Sequence, residues 1–275
     1  MLQQELHDPP MDSPRRPHIV IIFTGGTIAS TLDSEWGGVV PSLTGGKILE
    51  LIPGLDKLAK ITIHEFGTYP GPHITPEKMF ELFKIVETYT TRQDVDGVVV
   101  THGTDTLEET AFFLDCTLDT HKPVIVIGAM RNSSEPDWDG PRNFRDAVAV
   151  ASHKAARELG VLVCLGGVLT AASETTKTDT EDLSTFRSED FGPIGRIANG
   201  HLMLHRKPLH RDFFPMVEVP RFVPLLKCYA GMGGELLRCA SDHGAKGFVI
   251  EAFGVGNVTP SVYHECAAAV AAGIP

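Results

Sequence analysis

The sequence predicts an α/β protein, with a doubly wound parallel sheet in a first domain and a smaller, incomplete α/β domain after it. Apolar runs alternate with helix-like stretches from residue 19 onward. The runs are short, rich in β-branched residues and bounded by glycine, as strands buried on both faces are. Two of them end in threonine- and glycine-rich turns, TGGTIAS after 19–23 and THGTDTLEET after 97–100. In open α/β sheets ligands sit at the carboxyl ends of the strands, where such turns begin.

Taken in order, strands are expected at 19–23, 61–66, 97–100, 124–127 and 161–165. Between the second and third lies 75–90, which opens Thr-Pro-Glu-Lys, an N-cap followed by proline at the first helical position. Further helices are expected at 106–118 and 142–159, giving a βαβα rhythm with right-handed crossovers. Residues 205–224 carry four prolines and little periodicity, so a linker is placed at 205–221, after a first domain of 18–204. A second α/β unit, 222–275, contains a helix at 233–243, a strand in KGFVIEAF and a helix at 261–272. It ends in Gly273-Ile274-Pro275, as though cut inside a domain. The polar, proline-rich residues 1–17 read as a disordered tail without the apolar region of a secretory signal.

At 275 residues the chain is long enough to bury a sizeable core. Its net charge of −11 argues against nucleic acid or an anionic membrane as partner, because both demand clustered Lys and Arg. No apolar stretch approaches the ~18–20 residues needed to span a bilayer. Five widely spaced cysteines without CxxC suggest reduced thiols and a cytoplasmic location. His201, His205 and His210 are spaced for no metal-ligand face and read as solvated surface.

A threonine hydroxyl is a weak nucleophile that needs a neighbouring base and donors for the oxyanion. Thr27 and Thr104 would flank one small substrate if their turns lie on adjacent strand ends, and Asp105 would hold an ammonium group or orient a base. Either turn alone is better explained as a tight turn whose threonines cap helices, whereas two such turns at matching positions favour a site. A nucleotide-binding reading is disfavoured, since the glycines fit neither GxGxxG nor GxxxxGK[ST].

TGGTIAS, THGTDTLEETAFFL, GAMR (128–131), DGPRNFRDAV (139–148), TKTDTEDLSTF (176–186), GPIG (192–195) and FGVGN (253–257) occur in the order found in bacterial-type L-asparaginases, which the chain resembles from residue 18 to its end. The resemblance implies hydrolysis of the L-asparagine side-chain amide to aspartate and ammonia, without metal or cofactor. It makes Thr27 the acyl-accepting nucleophile and Thr104, Asp105 and Lys177 a second catalytic cluster. Asp105 would also bind the substrate ammonium, and the Ala129 carbonyl would face the substrate amide. A lysine desolvated beside a hydroxyl can exchange a proton near neutrality. Asp137 and Asp139 are expected to shape the turn after GAMR, and paired subunits of a tetramer to complete each other's sites.

Three departures accompany the resemblance. The loop 32–42 lacks the tyrosine that many relatives carry, and Val39 stands nearest its place. Gly71 stands where a serine would bind the substrate carboxylate. The acidic residue that the family's second domain lends to a neighbouring site is missing. These departures favour a truncated, catalytically impaired amino-acid binder as one alternative; a glutaminase-asparaginase of broader specificity is another, and a tRNA-dependent amidotransferase subunit is disfavoured by the short tail and the net charge of −11. The last would need an extra amino-terminal domain and a basic surface.

Overall fold

The computed structural model describes residues 15–32, 39–198, 200–216 and 218–275. The expected tail at 1–17 therefore lies largely outside the described residues, as does most of the loop that lacks a tyrosine. The chain divides into two compact units, Met1–Met216 and Val217–Pro275.

In the first unit, β1 (His18–Gly25) is followed by a hairpin of β2 (Ser30–Leu32) and β3 (Val39–Pro41). Two short helices, α1 (Gly45–Glu50) and α2 (Leu55–Leu58), lead to β4 (Lys60–Tyr69) and α3 (Pro76–Thr91). Next come β5 (Gly97–Thr101), α4 (Leu107–Thr117), β6 (Val124–Ile127), α5 (Gly140–Ser152) and β7 (Val161–Leu165). The unit closes with β8 (Val168–Ala171), the two-residue strands β9 (Thr176–Lys177) and β10 (Phe186–Arg187), then β11 (Gly195–Ala198) and β12 (His201–Leu204).

Eight of these strands form one sheet in the order β12-β11-β8-β7-β6-β5-β1-β4. The five expected strands, β4, β1, β5, β6 and β7, are its parallel part. Three antiparallel strands, β8, β11 and β12, extend one edge beyond what the sequence pattern indicated. Every residue of β1, β5, β6 and β7 is buried, which is why their sequences are unbroken apolar runs. Alternation along β1 sends Ile19, Ile21 and Phe23 to a core layer with Phe144 and Ala147 of α5 and Ile48 of α1. Val20 and Ile22 face the opposite layer, against Leu82 and Val86 of α3 and Leu107 and Leu114 of α4.

The Thr75 side chain accepts the Lys78 N–H and caps α3, with Pro76 opening the helix, as TPEK suggested. The end of the expected third helix is instead a separate 3-10 turn, Lys154–Ala156. After β4 the chain crosses β1 to enter β5 on its far side, so the sheet changes direction between β1 and β5. Ligand crevices in open α/β sheets form at such a switch, and both threonine turns leave the sheet there.

The second unit pairs β13 (Leu225–Lys227) in parallel with β14 (Val249–Glu251), beside α6 (Glu235–Asp242) and α7 (Pro260–Ala271). Its core gathers Cys228, Met232, Leu237 and Val262. Thr259 caps α7 by accepting the Val262 N–H while donating to the Met232 carbonyl, which ties that helix to the turn after β13.

Candidate active site

The two turns touch through glycine. β1 and β5 pair in register, Phe23 opposite Thr101, and Thr24 fastens their ends by donating its hydroxyl to the Thr101 carbonyl at 2.7 Å. One step further, Gly26 has φ +78° and lies so close to Gly103 that an added Cβ would stand 2.5 Å from the Gly103 nitrogen. A Cβ on Gly103 would in turn meet the Gly71 Cα at 2.6 Å. Three backbones, from the ends of β1, β5 and β4, thus stack without side chains between them. Thr27 and Thr104 each follow one of these glycines.

Thr27 opens a 3-10 turn, Thr27–Ala29, and is half-buried. Among the described residues its hydroxyl has no hydrogen-bond partner, while the turn is held by Ala29 N–H and the Ser30 hydroxyl, both donating to the Gly26 carbonyl. The loop after β6 braces the following hairpin: Ser133 donates through its N–H and its hydroxyl to the Ser30 carbonyl.

On the second turn, Thr104 is buried whereas the Asp105 side chain is 60% exposed. Lys177, 73 residues further along the chain from Thr104, places its ammonium 2.9 Å from Thr104 Oγ1 and 3.1 Å from Asp105 Oδ1. Its side chain is 16% exposed, and its ammonium faces the one carboxylate of the turn. The cluster expected from TKTDT and THGTDT is therefore assembled in space.

Gly71 opens a 3-10 turn after β4, and its carbonyl accepts the Thr106 hydroxyl at 2.7 Å. Thr106 thus serves the neighbouring loop and leaves α4 without a side-chain cap, contrary to the simple capping reading of this motif. A Cβ at Gly71 would lie 3.3 Å from Asp105 Cβ, placing this glycine at the edge of the same cluster.

Ala129 is fully buried just beyond β6. Its loop is fixed by Asp139, whose carboxylate accepts the N–H groups of Met130 and Arg131, and by Asn143, which donates to the Gly128 carbonyl at 2.9 Å. Gly128 lies within 3.0 Å, measured from an added Cβ, of both the His102 carbonyl and Thr104 Cγ2. The GAMR loop therefore abuts the second turn.

Two residues of the THGTDTLEET block escaped the sequence reading. His102 is fully buried, and burial lowers its pKa to about 4, so the ring is neutral. Its Nδ1 lies 2.8 Å from the Gly103 carbonyl, which can only accept; Nδ1 therefore carries the proton and Nε2 accepts from the Thr110 hydroxyl. Glu108 accepts the Lys177 backbone N–H and, at 3.3 Å, the Thr176 hydroxyl. Nothing in a lone Glu or His marks such contacts, since the partners of Glu108 lie 68 and 69 residues away. Among the described residues no group of three or more His, Cys, Asp or Glu could hold a metal ion. Of the His201, His205 and His210 set, all are exposed and His210 pairs with Asp212.

The fold and this cluster place the chain among α/β proteins with a site at a sheet's switch point, and sequence comparison narrows that class. An asparaginase N-terminal domain model matches residues 18–210, and a glutaminase/asparaginase C-terminal domain model matches 222–275. The chain belongs to the asparaginase family. It is 38% identical to a probable L-asparaginase of Deinococcus radiodurans over 250 residues, covering 90% of this chain and 74% of that protein. With L-asparaginase 2 of Escherichia coli (strain K12) it shares 34% identity, over 94% of this chain and 76% of that one. The crystal structure of a probable cytoplasmic L-asparaginase from Campylobacter jejuni superposes with a TM-score of 0.86 at 29% identity, covering 94% and 81% of the respective chains.

Proposed function

We propose that this chain is an amidohydrolase that converts L-asparagine to L-aspartate and ammonia through an acyl-enzyme on Thr27. The observation that carries the reading is the Lys177 ammonium, within hydrogen-bond reach of Thr104 and Asp105, on a turn in backbone contact with the one that presents Thr27. In this reading the Thr27 hydroxyl attacks the side-chain amide carbon and its proton passes to the departing nitrogen, which leaves as ammonia. Water then cleaves the threonine ester, returning the proton to Thr27 and releasing aspartate. Thr104 and Lys177, in direct hydrogen-bond contact, move the proton.

Asp105, largely exposed beside this pair, binds the substrate ammonium, and the Ala129 carbonyl receives the amide N–H. Gly71 offers backbone to the carboxylate, where a side-chain hydroxyl would add a contact. The chain is read as homo-oligomeric and cytoplasmic; no described helix is long and apolar enough to cross a membrane. Glutamine is the competing substrate, because one methylene changes binding by only ~1–3 kcal/mol.

Thr27→Ala is expected to abolish ammonia release from asparagine while leaving thermal unfolding unchanged. Most of the activity surviving in that variant would remove Thr27 from the nucleophile's role. The ratio of kcat/KM for asparagine and glutamine decides between the two substrates. Calorimetric binding of aspartate with no turnover of asparagine would make the chain a binder instead.

A further inference from the structure

We infer that Glu108 is a positioning residue that sets where Lys177 stands, an inference resting on the catalytic reading above. Lys177 belongs to β9, a strand of two residues whose in-register partner, β10, is equally short (Lys177 opposite Phe186). A two-stranded ribbon of this size has little stability of its own. A lysine also carries its charge on a flexible four-carbon stem, so the position of its ammonium depends on where its backbone is held.

The holding group is the Glu108 carboxylate. It accepts the Lys177 N–H with one oxygen and the Thr176 hydroxyl with the other, gripping both residues of β9. Glu108 is the second residue of α4, where a carboxylate is favoured by the helix dipole, and it lies four positions after Thr104. The same short segment therefore fixes Lys177 at both ends: Glu108 at the backbone, Thr104 and Asp105 at the ammonium. No other side chain is hydrogen-bonded to the Lys177 backbone among the described residues. Glu108 does not touch the reacting groups, and its effect passes through Lys177.

The test uses the 275-residue chain with Glu108→Ala and Glu108→Gln, compared with wild type by amide hydrogen exchange at Lys177, asparagine kinetics and thermal unfolding. Glu108→Ala is expected to speed exchange at the Lys177 amide. It should lower kcat by about 10- to 100-fold, the scale set by small misplacements of a catalytic group, with a smaller change in KM. Glu108→Gln keeps one carbonyl acceptor and is expected to recover part of both effects. Unchanged exchange overturns the inference, as does wild-type kcat in Glu108→Ala, or a kcat loss matched by an equal loss of folded protein.

Should Glu108→Ala not fold, Glu108→Leu, which fills the space without an acceptor, decides instead: faster exchange with reduced kcat supports the inference, and wild-type values of either overturn it. A wild-type chain that releases no ammonia from asparagine would defeat the catalytic reading itself. The exchange arm still judges the tether in that case.

Discussion

Residues that matter most here are those without room to vary. Gly26 combines φ +78° with a backbone neighbour where its Cβ would be, so Gly26→Ala meets both a left-handed strain and a collision with Gly103. Overpacking of this kind costs about 1–3 kcal/mol. The expected outcome is a lower urea midpoint together with impaired asparagine turnover, and a midpoint equal to wild type would contradict the stacking argument. Lys177→Met keeps the stem and removes the ammonium; a kcat loss of about 10²- to 10⁴-fold is expected, the range for losing a proton-transfer group. An effect confined to KM would instead make Lys177 a binding residue. These residues were unequally legible. Thr27, Thr104 and Asp105 stand in motifs whose glycines advertise a turn. Lys177 is one surface-type residue among many, and only resemblance to a family drew it in.

At the level of elements, β5 and α4 are joined by the buried chain Gly103 carbonyl–His102–Thr110, which runs from the strand's exit to the second turn of the helix. Because the folded chain disfavours a charge on His102, whose pKa falls from 6.5 to about 4, the unfolded chain takes up a proton first as pH drops. The stabilisation is complete above pH 6.5 and is lost as pH falls toward about 4, by roughly 3 kcal/mol over that interval. Urea titrations at pH 7 and 4.5 should show a steeper loss for wild type than for His102→Asn, and equal losses would acquit this histidine. Thr110→Val leaves Nε2 buried without its donor and is expected to cost about 1–3 kcal/mol.

The elements themselves were legible in proportion to their burial. β1, β5, β6 and β7 are covered on both faces and show as uninterrupted apolar runs, and α3 announces itself by its cap. β11 alternates buried and exposed over only four residues, and α1 and α2 span six and four, too few for a period to register. β9 and β10, two residues each, owe their existence to partners elsewhere in the chain.

For the whole molecule, the proline-rich stretch after β12 is partly bolted to the first unit. The Arg206 guanidinium binds Glu174 and the Gly192 carbonyl, and Arg211 binds buried Asp115 and the Leu118 carbonyl. Proline content signals a connection without showing which of its side chains reach back. On the second unit the apolar residues Leu225, Val255, Tyr263 and Val270 are exposed. Light scattering is expected to report a species larger than one chain, and a monodisperse monomer with full activity would defeat the oligomeric reading. The proposed proton-transfer lysine, meanwhile, is carried on one of the two shortest strands among the described residues, while its hydroxyl partner sits in the turn just past a fully buried one. Such peripheral pairs open well before a central sheet does. Catalysis should therefore fade on warming at temperatures where circular dichroism still reports an intact fold, and return on cooling, which makes the working range of the protein narrower than its melting point.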